Sequence, residues 1–143
     1  MAGGQPQRPA PGASDDAPGR IVVLVVDDEP SIRSFIARAL ERVGIEVVAA
    51  ENGRKALRLV ADGEVRPTVL VTDLEMPGMG GVELAARMHA LRPEMRIVMM
   101  TGDPARAAAA RDRSTIVAAV LDKPILIADL VAAVRPGPER VRL

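Results

Sequence analysis

The stretch Val69-Leu70-Val71-Thr72-Asp73-Leu74-Glu75-Met76-Pro77-Gly78-Met79-Gly80-Gly81 runs from three aliphatic residues into a single carboxylate and then through a Pro-Gly turn. A short apolar run stopped by turn residues reads as a buried strand, here residues 68–72. Open α/β sheets bind their ligands in the crevice outside the carboxyl ends of the strands. Asp73 stands at such an end and is the candidate reactive group.

Upstream, residues 21–26 are six consecutive aliphatic side chains that stop at Asp27-Asp28-Glu29. That pattern fits a central parallel strand covered on both faces. Pro30 suits a first helical turn, where no amide hydrogen is needed. Ile32, Phe35, Ile36, Ala39, Leu40 and Val43 then share one helical stripe, and Gly44 supplies the stop. Residues 45–50 read as a second strand, nearer an edge because of Glu46. A turn at Glu51-Asn52-Gly53 leads to a short helix, residues 54–61, with Ala56, Leu57 and Val60 inward, ended by Asp62-Gly63.

Downstream, Val82, Leu84, Ala85, Met88 and Leu91 mark a third helix that closes at Arg92-Pro93. Residues 96–100 form the fourth strand, followed by Thr101-Gly102-Asp103-Pro104 and an Ala-rich helix near residues 105–111. Residues 116–121 form the fifth strand, ending at Asp122-Lys123-Pro124, and residues 126–134 the last helix. Five strand-helix repeats joined by right-handed crossovers wind into one α/β domain, a parallel sheet with helices on both faces.

The chain has 143 residues, enough for one domain with a proper core. Phe35 is the lone aromatic residue, so aliphatic side chains must fill the interior. Lys+Arg and Asp+Glu number 19 each, which leaves no electrostatic footprint for nucleic acid or an anionic membrane. The chain has no Cys, which excludes disulfides and thiolate metal sites. Neither a membrane-spanning run nor a signal core is visible, so a cytoplasmic location is expected. Residues 1–20 lack apolar periodicity and read as a disordered tail, residues 21–134 as the domain, and residues 135–143 as a short second tail.

Aligning the strands gathers Asp27, Asp28, Asp73, Thr101 and Lys123 at one edge of the sheet. Carboxylates about 4 Å apart repel by roughly 4 kcal/mol at an effective dielectric near 20, so a cation has to join them. Mg²⁺ (or Mn²⁺) takes such hard oxygen ligands. Lys123 brings a mobile positive charge and Thr101 a hydroxyl donor, a set that suits a phosphoryl group in transit. Taken singly, each group has a plainer reading. Asp27-Asp28 fits a helix cap equally well, Thr101-Gly102 fits a turn, and Lys123 fits a solvated surface lysine. His89 has no assigned role, and the methionines read as core or loop fillers. Their coincidence at successive strand ends is what favours chemistry.

With Val25-Val26-Asp27-Asp28-Glu29-Pro30, Thr72-Asp73-Leu74-Glu75-Met76-Pro77 with Gly81, Met100-Thr101-Gly102 and Asp122-Lys123-Pro124, the chain resembles the receiver domain of two-component response regulators. The resemblance covers residues 21–134 and implies a flavodoxin-like (βα)5 fold with strand order 2-1-3-4-5. It implies that Asp73 accepts a phosphoryl group from the phosphohistidine of a sensor histidine kinase or phosphotransfer protein. It further implies that Asp28, Asp73 and the Glu75 backbone carbonyl hold the metal with help from Asp27, and that Thr101 and Lys123 contact the phosphoryl group. A cis peptide before Pro124 is also expected.

Two features depart from the family pattern. Val120 stands where many receivers carry an aromatic switch residue, and Ser114-Thr115-Ile116-Val117 replaces a Gly-rich approach to the fifth strand. Glu75 and Asp103 flank the expected path of the attacking water, which makes them candidates for tuning acyl-phosphate lifetime. With so little chain after the last helix, a stand-alone receiver is expected. It would signal through an output protein not named by the sequence, as a monomer or weak phosphorylation-dependent dimer, a switch more than a turnover enzyme. The output surface implied by the resemblance involves the fourth helix, fifth strand and fifth helix. The rivals are a pseudo-receiver scaffold, against which the intact acidic set speaks, and a haloacid-dehalogenase-like phosphatase. The latter wants its nucleophile in an Asp-x-Asp motif that Asp27-Asp28-Glu29 does not supply.

Overall fold

A computed structural model describes residues 19–113 and 116–135 of the chain. The expected tails lie outside these residues, apart from Gly19, Arg20 and Arg135, as do Ser114 and Thr115. The elements alternate: β1 Val22–Val26, α1 Pro30–Glu41, β2 Glu46–Ala50, α2 Gly53–Ala61, β3 Val69–Asp73, α3 Gly81–Leu91, β4 Arg96–Thr101, α4 Pro104–Arg113, β5 Val117–Asp122 and α5 Ile127–Val134. The strands form one parallel sheet in the order β2-β1-β3-β4-β5, as expected. β2 is an edge strand, in keeping with its charged Glu46, whereas every residue of β1 and β3 is buried.

Alternation of side chains across the strands sorts the interior into two layers. Leu24, Val26, Leu70, Ile97 and Met99 face one side and pack with Ala56, Val60, Leu84, Ala85, Met88 and Ala107 of α2, α3 and α4. Val23, Val25, Val71, Val98 and Met100 face the other and pack with Ile36, Ala39, Leu40, Leu130 and Val134 of α1 and α5. Fully burying an aliphatic side chain contributes about 1.5–3 kcal/mol, so a nearly ring-free core is sufficient.

The helix boundaries have local causes. Pro30 opens α1, and Gly44 beyond its end takes φ 84°, a left-handed conformation that glycine adopts without a side-chain clash. Asn52 caps α2 by accepting from the Lys55 amide at 2.8 Å. Four apolar residues expected on inward stripes are in fact exposed: Phe35, Val43, Val82 and Leu91. Phe35 and Val43 flank the narrower buried seam of Ile36, Ala39 and Leu40. Val82 lines a cavity between α3 and α4, and Leu91 is the last residue of α3. A register shift between Ile97 and Val98 pairs Ile97 with Val117 but Val98 with Ala119, so Ala118 is passed over along β5.

Candidate functional site

Register carries the polar residues to one edge. Val26 pairs with Thr72, Asp73 with Met100, and Thr101 with Asp122, so the next residues, Asp27 and Lys123, emerge at the same end of the sheet. Asp27 leaves a fully buried strand and is itself fully buried, while the alternation turns Asp28 out to solvent. Asp73 is 5% exposed and Thr101 fully buried.

Each group is held from a different direction. Asp27 Oδ1 accepts from the Glu29 amide at 2.9 Å, and the Arg33 guanidinium donates to the Asp27 carbonyl at 2.7 Å. The cap reading of Asp27-Asp28 does not hold: Glu29 is the N-cap of α1 and no side chain caps it, so Asp27 fixes the turn into the helix from its place in the crevice. Lys123 reaches across the sheet edge, with Nζ 3.3 Å from Asp27 Oδ2 and 3.2 Å from Asp73 Oδ1. Its amide donates to the Thr101 carbonyl at 2.8 Å, and its peptide bond to Pro124 is cis.

The Lys123–Asp73 contact is an ion pair by distance without hydrogen-bond alignment. Asp73 Oδ1 therefore remains a buried oxygen that accepts no hydrogen bond among the described residues. Burial first, and then repulsion from Asp27, raises the Asp73 carboxyl above the usual carboxylate range, with Lys123 opposing both. Burial pulls the Lys123 ammonium down, but Asp27 and Asp73 outweigh it and leave the group above its ordinary value.

Asp27, Asp28 and Asp73 each offer one carboxylate oxygen, and these oxygens lie within 4.8 Å of one another. Three carboxylates, one of them with a buried oxygen that accepts no hydrogen bond, and one ammonium to offset them leave excess negative charge in the crevice. That donor set fits Mg²⁺ or Mn²⁺ and not a soft metal.

The loop after β3 is folded tightly onto the site. The Leu74 amide donates to the Met100 carbonyl at 2.8 Å, and the Gly81 amide donates back to the Leu74 carbonyl at 2.9 Å. A Cβ on Gly81 would lie 2.5 Å from the Asp73 carbonyl oxygen and 2.8 Å from Leu74 Cα, so no larger residue fits without a backbone shift. Gly78 turns the same loop at φ 76°.

Glu75 and Asp103, read in the sequence as flanking the water path, have definite partners. The Thr101 hydroxyl donates to Glu75 Oε2 at 2.6 Å and accepts from the Asp103 amide at 3.0 Å. Asp103 Oδ1 accepts from the Ala105 amide at 3.0 Å and the Arg106 amide at 3.4 Å at the start of α4. Arg106, not singled out by the sequence reading, has Nε 3.9 Å from Glu75 Oε2 and 3.7 Å from Asp103 Oδ2. The one cue available was its spacing, three residues after Asp103 on a helix. Val120 is buried with the α3 and α4 layer, and its carbonyl accepts from Arg111 of α4 at 2.9 Å. His89 is half-buried in the last turn of α3.

Residues 23–135 match the family model of the response regulator receiver domain. The chain is 34% identical over 109 residues to the response regulator receiver protein CpdR of Brucella abortus, covering 76% of this chain and 89% of that protein. It is 33% identical over 112 residues to the DNA-binding transcriptional regulator NtrC of Azospirillum brasilense. That match covers 78% of this chain but only 23% of the longer regulator. Among solved structures, a response regulator receiver domain protein from Clostridium thermocellum superposes with TM-score 0.72 at 28% identity, covering 80% of this chain and 90% of that one. Chemotaxis protein CheY4 of Vibrio cholerae superposes with TM-score 0.68 at 30% identity, covering 79% and 94%. By sequence, fold and the acidic cluster at its strand ends, the chain belongs to the receiver domain family of two-component response regulators.

Proposed function

We propose that Asp73 is the phosphoacceptor of a Mg²⁺-dependent receiver switch, charged by the phosphohistidine of a sensor kinase or phosphotransfer protein. The observation that carries this reading is the buried Asp73 oxygen without a hydrogen bond, set beside Asp27, Asp28 and Lys123 at the carboxyl edge of the sheet. Paired with the Lys123 ammonium at 3.2 Å but not hydrogen-bonded to it, that oxygen keeps the electron density that attack on phosphorus needs.

Asp27, Asp28, Asp73 and the Glu75 backbone carbonyl would hold the metal, which supplies positive charge for the phosphoryl oxygens. The Asp73 carboxylate attacks phosphorus in line. An oxygen–phosphorus bond forms, the phosphorus–nitrogen bond of the donor breaks, and the imidazole nitrogen keeps the electron pair. Formation of the acyl phosphate takes the charge off the Asp73 oxygen that Lys123 faced, so the ammonium, still beside Asp27, can meet a phosphoryl oxygen, as can the Thr101 hydroxyl once released. Hydrolysis reverses the gain: water attacks phosphorus, inorganic phosphate leaves, and the carboxylate returns. Glu75 and Asp103 are the groups proposed to set the rate of that second step.

The switch is read by an output protein, and the phosphorylated form is the one it selects. Such a protein acts as a carrier of state, assisting its own phosphorylation and dephosphorylation, in the cytoplasm where the donor kinase domains reside. The test is incubation with Mg²⁺ and acetyl phosphate followed by intact mass measurement. Wild type gains one phosphoryl group, and Asp73→Asn does not. Equal labelling of the two proteins, or none of wild type, refutes the assignment.

A further inference from the structure

A hydroxyl has one hydrogen to donate. The Thr101 hydroxyl already spends it on Glu75 Oε2 at 2.6 Å, while its oxygen accepts from the Asp103 amide. Donation to a phosphoryl oxygen and donation to Glu75 therefore exclude each other. On the far side, Glu75 Oε2 also faces Arg106 of α4 at 3.9 Å. Glu75 thus adds a side-chain tie between the end of β4 and the first turn of α4 to the one that Asp103 makes through its own amide and carboxylate.

What α4 rests on gives the tie its importance. The helix reads Pro-Ala-Arg-Ala-Ala-Ala-Ala-Arg over its first eight residues, and Ala107 is its buried contact with the core. Beside it, between α3 and α4, lies an open groove of about 360 Å³ lined by Val82, Ala86, Met99, Ala109, Ala110 and Val117, among others. A helix that presents methyl groups to an open groove has little dispersion energy fixing it on that side. Val120, small and already packed, has no ring to carry a movement of Thr101 to that helix.

We infer that Glu75 is a positioning residue: its carboxylate holds the Thr101 hydroxyl in the resting protein and couples phosphoryl binding to release of the α4 first turn. The inference rests on the reading of Asp73 as phosphoacceptor. When the Thr101 hydroxyl turns to the phosphoryl oxygen, Glu75 loses its donor. The Glu75–Arg106 link then no longer anchors α4 to the strand end. Arg111, bonded to the Val120 carbonyl, and the packing of Ala107 and Ala110 still hold the rest of α4 to the sheet.

The test is beryllofluoride binding in Mg²⁺, by calorimetry, to wild type, Glu75→Ala, Glu75→Gln and Asp103→Asn. Glu75 is exposed, so its variants fold. Removing the competing acceptor tightens beryllofluoride about fivefold in Glu75→Ala, in line with one hydrogen bond to a charged group that is partly solvated. Glu75→Gln, which keeps an acceptor without the charge, falls between Glu75→Ala and wild type. Asp103→Asn removes an equal charge and stays within about twofold of wild type, since that side chain does not touch the Thr101 hydroxyl.

Backbone amide spectra supply the second readout. In wild type, beryllofluoride shifts the Arg106 and Ala107 signals. In Glu75→Ala those signals start displaced toward the bound positions and move less than half as far. Affinities equal in wild type and Glu75→Ala, an Asp103→Asn gain matching that of Glu75→Ala, or undiminished α4 shifts would each overturn the inference. If wild type itself takes no beryllofluoride, the phosphoacceptor reading fails as well, which separates the two outcomes.

Discussion

Replacing Lys123 by Met keeps most of the apolar stem and removes the charge that sits between Asp27 and Asp73. The ammonium lies 3.3 Å from one carboxylate and 3.2 Å from the other, and at an effective dielectric of about 20 each pair carries about 5 kcal/mol of attraction. Burial of all three groups offsets much of that, and the 21% exposure of the lysine side chain lets water screen the remainder. Removing one partner of a buried pair costs about 3–5 kcal/mol; for this partly exposed lysine the lower end applies, so metal-free Lys123→Met loses about 3 kcal/mol. Mg²⁺ among the same carboxylates supplies the missing positive charge and no longer repels an ammonium. If a third to a half of the loss is returned on binding, Mg²⁺ affinity rises about tenfold in the variant. The chain has neither Trp nor Tyr, so urea unfolding is followed by far-ultraviolet circular dichroism, in EDTA and in Mg²⁺, with calorimetry for the metal itself. A stability deficit that is the same with and without Mg²⁺, together with unchanged Mg²⁺ affinity, would refute the view that Lys123 balances the acidic crevice.

Three further outcomes follow from the same geometry. Asp73 has a raised folded pKa, so its protonated form favours folding: that contribution is present below the unfolded value and lost as pH rises through the folded one. Metal-free Asp73→Asn is therefore more stable than wild type at neutral pH, and the gap narrows on acidification; a lower Tm for the variant at pH 7 would contradict this. Gly81→Ala forces a methyl against the Asp73 carbonyl and Leu74 Cα and costs about 2–3 kcal/mol in urea unfolding, whereas a wild-type midpoint would mean the loop has room to move. Asn52→Ala deletes the α2 cap at about 1 kcal/mol while leaving Mg²⁺ affinity unchanged; a fall in that affinity would tie α2 to the site.

The sequence shows the sheet because apolar runs and turn residues alternate so regularly, yet its strand ends fall one residue short. β3 reaches Asp73, β4 Thr101 and β5 Asp122, each one beyond the last residue that apolarity would assign. The parallel ladder takes in the polar residue, as the pairing of Asp73 with Met100 and Thr101 with Asp122 requires. The reactive groups are thus held by strand geometry and not by loops. Asp27, Asp73, Thr101 and Lys123 were visible as strand-end punctuation. The partner of Thr101 was not, because Glu75 reaches it only after the loop has folded back through the Leu74 and Gly81 amides. Arg106 was hidden for a similar reason: what it faces is set by how α4 lies against that loop, which helical periodicity does not encode.

Strand order also explains why the carboxylates are the strained members of the set. β1 and β3 lie side by side within the sheet and are buried on both faces, so Asp27 and Asp73 emerge where water is scarce and their charges repel strongly. Asp28, one residue further along the same chain, turns outward and can keep its hydration. Thr101 and Lys123 come from β4 and from the end of the edge strand β5, and the lysine keeps one side in solvent. Position in the sheet therefore divides the labour. The central strands deliver charge that the fold cannot easily solvate, β4 delivers a buried hydroxyl, and the end of β5 delivers a partly exposed ammonium able to move and meet that charge. A sheet wound in another order would separate Asp27 from Asp73, and the excess negative charge that draws a metal and then a phosphoryl group to this crevice would be lost.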